Sequence, residues 1–176
     1  MIVYFLRHAS AGHHLTNPIQ DERRALDEQG INQCTGVGRA LNAMDVHVDA
    51  VISSPLKRAT QTASLVANEI GFDGKLQRSP VLRPDAQMDA FRELVERNSK
   101  MEAIAVVGHN PSLSRFLSLL ISEGASESSV ELKKCAVARV DYSGGVGTLK
   151  WILTPKIVQA LSSASGDNSR PKTVRK

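Results

Sequence analysis

Ala103-Ile104-Ala105-Val106-Val107-Gly108-His109-Asn110-Pro111 is the segment on which the fold turns. Residues 103–107 are apolar without alternation and of strand length. A strand of that kind is buried on both faces, so it is predicted to lie in the middle of a mostly parallel sheet. Asn110 is placed to cap a following helix, with Pro111 at its first position. Leu113, Phe116, Leu117, Leu120 and Ile121 form that helix's apolar side.

Working outward, residues 2–6 (Ile-Val-Tyr-Phe-Leu) and 49–53 read as two more buried strands. Residues 27–44 carry Ile31, Cys34, Val37, Leu41 and Met44 at helical spacing. Residues 56–70 repeat the pattern with Ala59, Ala63, Val66, Ala67 and Ile70, and Gly71 is a natural stop. Residues 89–98 form a shorter helix with Phe91, Leu94 and Val95 inward. Residues 135–142 and 148–153 flank a Gly-rich stretch and read as a hairpin. Strands alternating with helices predict an α/β, three-layer domain: a mostly parallel central sheet, helices on both faces, and an antiparallel terminal hairpin.

The chain of 176 residues fits one domain. It is expected to occupy residues 1–161, followed by a disordered basic tail, 162–176. No apolar run approaches the length of a membrane span, and the N-terminus lacks a basic leader region. The expected location is the cytoplasm, with Cys34 and Cys135 as reduced, buried thiols. The net charge is +4, of which the tail holds +3 through Arg170, Lys172, Arg175 and Lys176 against Asp167. The remaining body is nearly neutral and poor in aromatics, which argues against a nucleic-acid partner.

The chemistry collects at three strand ends: Arg7-His8, Ser53-Ser54-Pro55 with Arg58 just beyond, and Gly108-His109. In parallel α/β sheets, ligands bind outside the carboxyl ends of the strands. The pattern therefore brings two arginines and two histidines together. Arginine presents a planar fork that matches phosphate oxygens. Two forks and one imidazolium could hold the equatorial oxygens of a transferring phosphoryl group, while a neutral imidazole attacks phosphorus. No Asp-x-Asp or Cys/His cluster suggests a metal. His13 and His14 read as an exposed loop pair, and Arg23 and Arg24 as a solvated charge pair.

These junctions resemble the histidine phosphatase superfamily, the phosphoglycerate-mutase-like enzymes. Leu6-Arg7-His8-Ala9 is similar to its Arg-His-Gly signature, with Ala9 in place of glycine. Ser53 to Ala63, Ser-Ser-Pro-Leu-Lys-Arg-Ala-Thr-Gln-Thr-Ala, is similar to its second block, and Val107-Gly108-His109-Asn110 to its third. Residues 24–30 and 151–155 further resemble the short SixA-type phosphohistidine phosphatases. The resemblance implies His8 as the phosphorylated nucleophile and Arg7, Arg58 and His109 as the phosphate pocket. It also implies that Arg24 reaches the substrate phosphate and that no metal or other cofactor is required.

Phosphoester-cleaving relatives place a glutamate in a Leu-x-Glu stretch. Here Leu82-Arg83-Pro84 stands there, with Asp85 as the adjacent substitute acid. The expected function is a phosphohistidine phosphatase acting on a phosphorylated protein such as a histidine phosphotransfer domain. The alternatives are a phosphomonoesterase for small phosphorylated molecules and a phospho-ligand binding protein without turnover.

Overall fold

The computed structural model describes residues 1–122 and 129–167. The elements are β1 (Ile2–Arg7), α1 (Pro18–Glu22), α2 (Glu28–Ala43), β2 (Ala50–Ser53), α3 (Lys57–Glu69), β3 (Gln77–Arg78), α4 (Met88–Arg97), β4 (Ala103–Gly108), α5 (Ser112–Ile121), β5 (Val137–Ser143), β6 (Val146–Leu153) and α6 (Pro155–Asp167). A 3-10 turn at Pro80–Leu82 joins β3 to α4.

The sheet order is β3-β2-β4-β1-β5-β6. The first four strands are mutually parallel; β5 runs antiparallel to β1, and β6 to β5. The apolar run of β4 is central, as its composition predicts, between β1 and β2. Period-2 alternation divides β1 between two cores. Val3 and Phe5 pack with Phe91 of α4 and Leu113, Phe116 and Leu117 of α5. Tyr4 and Leu6 pack on the other face with Val37 and Leu41 of α2 and Ala63 and Val66 of α3. The result is the expected three layers. The hairpin turns at Gly144-Gly145, both at positive φ (60° and 87°), where glycine alone is unstrained.

Some expectations are corrected. In α2 only Cys34, Val37 and Leu41 are buried, while Ile31 and Met44 at its ends are 47% exposed. The apolar stripe runs longer than the surface that covers it. Asn110 does not cap α5 through a backbone N–H. Its Oδ1 accepts from Ser114 Oγ (2.9 Å) and its Nδ2 donates to Leu132 O (2.9 Å), so its amide ties a loop to the helix. Between the first strand and α2, where no element is expected, Asn17 and Pro18 start a short helix. Asn17 Oδ1 accepts from the Ile19 and Gln20 amides. The boundary placed between 161 and 162 falls within α6, whose Val158 packs on the α2 side of the core. Residues 168–176, the rest of the expected tail, lie outside the described residues.

Two glycines set how closely α2 approaches its neighbours. A Cβ on Gly38 would meet Glu69 Cβ at 2.5 Å, which lets α2 lie tightly on α3. A Cβ on Gly30 would meet the Ser10 carbonyl oxygen at 2.0 Å. That carbonyl accepts from the Asp27 amide (3.2 Å), so the loop leaving β1 is clamped on the first turn of α2. Gly30→Ala must push this loop aside. It is expected to destabilise the fold by about 1–3 kcal/mol, the usual range for overpacking a tight site. Urea unfolding checks this, and a midpoint unchanged from wild type would contradict it.

Candidate active site

Parallel pairing brings the carboxyl ends of β1, β2 and β4 to one side. The register sets Arg7 opposite Gly108 and Ser53 opposite Val107. The chain continues this pairing one residue further. His8 N donates to Gly108 O (3.0 Å) and Ser54 N to Val107 O (2.8 Å). His8, Ser54 and His109 thus stand side by side, and the two histidine rings lie 4.9 Å apart between centroids. Arg58 joins them from the first turn of α3. Of the four predicted residues, His8, Arg58 and His109 line one cleft, while Arg7 is not among its lining residues but its charge acts on both histidines. A cleft of about 460 Å³ is lined by His8, Arg24, Arg58, Arg83, Asp85 and His109 among others. A larger cleft of about 1000 Å³ lies along β3, lined by residues such as Lys75, Gln77 and Arg78; no histidine or cysteine borders it.

His8 Nδ1 lies 2.8 Å from Ala9 O. A carbonyl only accepts, so Nδ1 carries the ring proton and Nε2 keeps its lone pair, a tautomer assigned from the partner. Burial pushes the His8 pKa down to about 4, and Arg58, Arg7 and Arg24 push the same way against the Ala9 bond. At neutral pH the ring is uncharged. Ala9 is itself held: its amide donates to Thr62 Oγ1 (3.0 Å), and that hydroxyl donates to Arg58 O (2.8 Å). One fully buried threonine ties the β1 loop to α3.

The remaining groups share a pattern. Arg7 Nη1 donates to Leu132 O (2.8 Å) and Arg58 Nη1 to Asp21 O (2.9 Å). Each guanidinium keeps a buried Nε with no hydrogen-bond partner. His109 lies 2.8 Å through Nε2 from Ser54 Oγ, and its Nδ1 is likewise buried and unpartnered. With the Ser54 hydroxyl donating, the His109 proton sits on Nδ1. Burial first, then His8, Arg58, Arg83 and Arg7, bring the His109 pKa down to about 2. The imidazolium expected from the sequence is therefore a neutral ring in the free protein, because it is desolvated among cations. A bound dianion would oppose those cations and raise it again.

Arg24 departs from the solvated-pair reading. Its Nε donates to Asp21 (2.9 Å) and its Nη1 to Ala11 O (2.6 Å), and it lines the cleft, while Arg23 is exposed. His13 and His14 are exposed, and His14 Nδ1 lies 3.1 Å from Asp21. Asp85 is exposed on the cleft rim. Pro84 beside it accepts from the Ser112 hydroxyl, which anchors the rim to α5. Sequence reading missed Asp21, Ser54, Thr62 and Arg83. Asp21 had one signal, an i,i+3 spacing to Arg24 just after a Pro-started helical turn. Arg83, ion-paired with Glu22 across the mouth, had none.

The family model for the histidine phosphatase superfamily (branch 1) matches residues 3–83. An uncharacterised protein of Picosynechococcus is 30% identical over 140 residues, covering 78% of this chain and 82% of that protein. The chain belongs to the histidine phosphatase superfamily. As a member of that superfamily it is a phosphatase. It is also similar to the phosphohistidine phosphatase SixA of Escherichia coli, 24% identical over 157 residues covering 88% of this chain and 94% of SixA. The solved structure of the protein histidine phosphatase SixA complexed with tungstate superposes with a TM-score of 0.80 at 22% identity, covering 90% of this chain and 99% of that one. The histidine phosphatase fold thus extends past the 3–83 match to the His109 strand and the terminal hairpin.

Among the described residues no group of three or more His, Cys, Asp or Glu is arranged to hold a metal ion, and no helix is long and apolar enough to cross a membrane. Cys34 and Cys135 are free, buried thiols that influence one another electrostatically, although they are far apart in sequence. Cys135 adopts φ 56°, and its amide donates to Arg7 O (3.1 Å) and His8 O (3.2 Å). Cys135, just before β5, thereby braces the His8 backbone.

Proposed function

We propose that this phosphatase removes the phosphoryl group from phosphorylated histidine in a protein, through a covalent intermediate on His8. The observation that carries the site is the set of three buried, unpartnered nitrogens, Arg7 Nε, Arg58 Nε and His109 Nδ1, around a neutral His8. Burying donors without partners is costly, so a site that keeps three of them is built for an acceptor that arrives later. A tetrahedral oxyanion with several acceptor oxygens fits, and the SixA structure carrying tungstate supports that chemistry by analogy.

The steps follow from the groups. His8 Nε2 attacks phosphorus in line, forming a new P–N bond as the P–N bond to the substrate imidazole breaks. The substrate imidazole, protonated on its distal nitrogen, departs neutral. Arg7, Arg58 and His109 bind the phosphoryl oxygens and stabilise the charge on them. Water then cleaves the phosphorylated His8, releasing phosphate and restoring the ring. Arg24, already in the cleft, extends the cationic wall toward the substrate. Free cysteines fit a reducing, cytoplasmic compartment.

Turnover of a phosphohistidine peptide, a phosphoserine peptide and a sugar phosphate, compared side by side, tests the substrate class. The arginines also assign charge neutralisation to the protein itself. Added chelator is therefore expected to leave turnover unchanged, while vanadate inhibits competitively. Activity lost in chelator and restored by a divalent cation would overturn this assignment. The second reading, a small-molecule phosphomonoesterase, is favoured by one observation: Asp85 borders the cleft, where an acid could protonate an ester oxygen.

A further inference from the structure

Asp21 is a carboxylate set into a cationic cleft, and it is only 6% exposed. Its Oδ1 accepts from Leu15 N (3.0 Å) and Arg24 Nε (2.9 Å), its Oδ2 lies 3.3 Å from Arg58 Nη1, and its own carbonyl accepts from that same Nη1 (2.9 Å). Burial works to raise its pKa, but the Leu15 amide, Arg24 and Arg58 outweigh it and bring the value to about 2. The carboxylate is ionised at any working pH. Arg24 and Arg58 repel one another, which depresses the Arg58 pKa after burial has done so. Asp21 lies between them.

We propose that Asp21 is a positioning residue, whose carboxylate and carbonyl grip Arg58 Nη1 and Arg24 Nε and hold both guanidiniums in place before the phosphoryl group arrives. This rests on reading the cleft as a phosphoryl site. Arg58 Nη1 is the nitrogen on the side of Cδ, so engaging it leaves the parallel Nε and Nη2 edge, the one that matches two oxygens of a phosphoryl group. The Arg58 Nε on that edge is the buried, unpartnered one. Without its counter-ion, the Arg58 side chain is repelled by Arg24 and drifts from this pose. The carboxylate has an opposite effect on binding, because its charge repels an incoming anion. It therefore trades ground-state anion affinity for a fixed transition-state geometry.

That trade predicts a split between kcat and binding. Asp21→Asn keeps the shape and the acceptor for Leu15 but removes the charge. Its kcat on nitrophenyl phosphate, per folded molecule by circular dichroism, is expected to fall about 10- to 100-fold, the scale of a small misplacement of catalytic groups. Its inhibition constant for inorganic phosphate is expected to stay the same or decrease. Asp21→Glu keeps the charge but moves the grip outward; it is expected to fold and to lose kcat by a smaller factor. A merely structural role would lower the folded fraction and leave kcat per folded molecule alone. A kcat within twofold of wild type in either variant overturns the proposal, as does phosphate binding that weakens in step with kcat. Nitrophenyl phosphate reports on the His8 step whichever bond is the natural target. Failure on phosphohistidine would therefore count against the function and leave this test intact.

Discussion

His8→Ala is expected to lower kcat by about 10⁴-fold or more, the scale on which removal of a nucleophile is felt when the rest of the site remains. The chain of reasons is short. The Ala9 carbonyl fixes the Nδ1–H tautomer, Nε2 keeps a lone pair, and burial among arginines holds the ring neutral. The same substitution must also abolish a phosphoenzyme that is labile in acid and stable in alkali, as a phosphorus–nitrogen bond is. The fold should survive, because His8 follows the end of β1 and contributes no apolar core surface. Mass spectrometry of trapped enzyme together with steady-state rates checks both parts. Turnover within tenfold of wild type in His8→Ala would refute the mechanism. The wild-type pH profile adds a sign. Attack needs neutral His8, and the folded pKa lies near 4, below the ordinary 6.5. The reactive form is therefore present above about pH 4 and is lost as pH falls through that value. An acid limb near 6.5 would mean that the ring is not desolvated as described.

The second large effect is a choice of bond. Expelling an alkoxide requires a positioned general acid, which contributes roughly 10²–10⁴-fold. Pro84, at the place where ester-cleaving relatives carry glutamate, has no proton to give, and its carbonyl is tied to Ser112. Asp85 is exposed on the rim rather than enclosed beside a leaving group. Imidazole, with a conjugate acid of pKa about 6.5, leaves with little help. The enzyme is expected to favour phosphohistidine over phosphoserine or a sugar phosphate by about 10²–10⁴-fold in kcat/KM, the factor an acid would have supplied. Asp85→Asn should change phosphohistidine turnover by no more than a few-fold. Rapid hydrolysis of alkyl phosphates, lost in Asp85→Asn, would instead assign Asp85 as the acid and move the protein to the phosphomonoesterase reading.

Much of the fold was legible because burial leaves a period in the sequence. The unbroken apolar run of β4 predicted a central strand, and β4 lies between β1 and β2. The 3.6-residue stripes of α2 and α3 predicted their inward faces, including Val37, Leu41, Ala63 and Val66. Elements without a period were missed. β3 has two exposed residues, and α1 is five residues long and mostly exposed. Neither carries enough apolar contrast to stand out. In the site, residues at strand ends were legible from order alone, since parallel strands deliver their carboxyl ends to one side. Asp21 was only half legible: its i,i+3 spacing points to Arg24, but nothing local says that the same carboxylate will also reach Arg58.

By itself, then, the sequence determined the strand and helix alternation, the layer arrangement, and the residue types that meet at the carboxyl edge of the sheet, His8, Arg7, Arg58 and His109 among them. These follow from local hydrophobic period and chain order. Only the tertiary structure decided which nitrogen each of those side chains spends on the protein and which it keeps. Arg7 Nη1 is taken by a carbonyl 125 positions away, at Leu132, and Arg58 Nη1 by one 37 positions away, at Asp21. Those partners come from loops packed over the sheet edge. Hydrogen bonds between distant segments depend on how the layers close, and no local pattern records it.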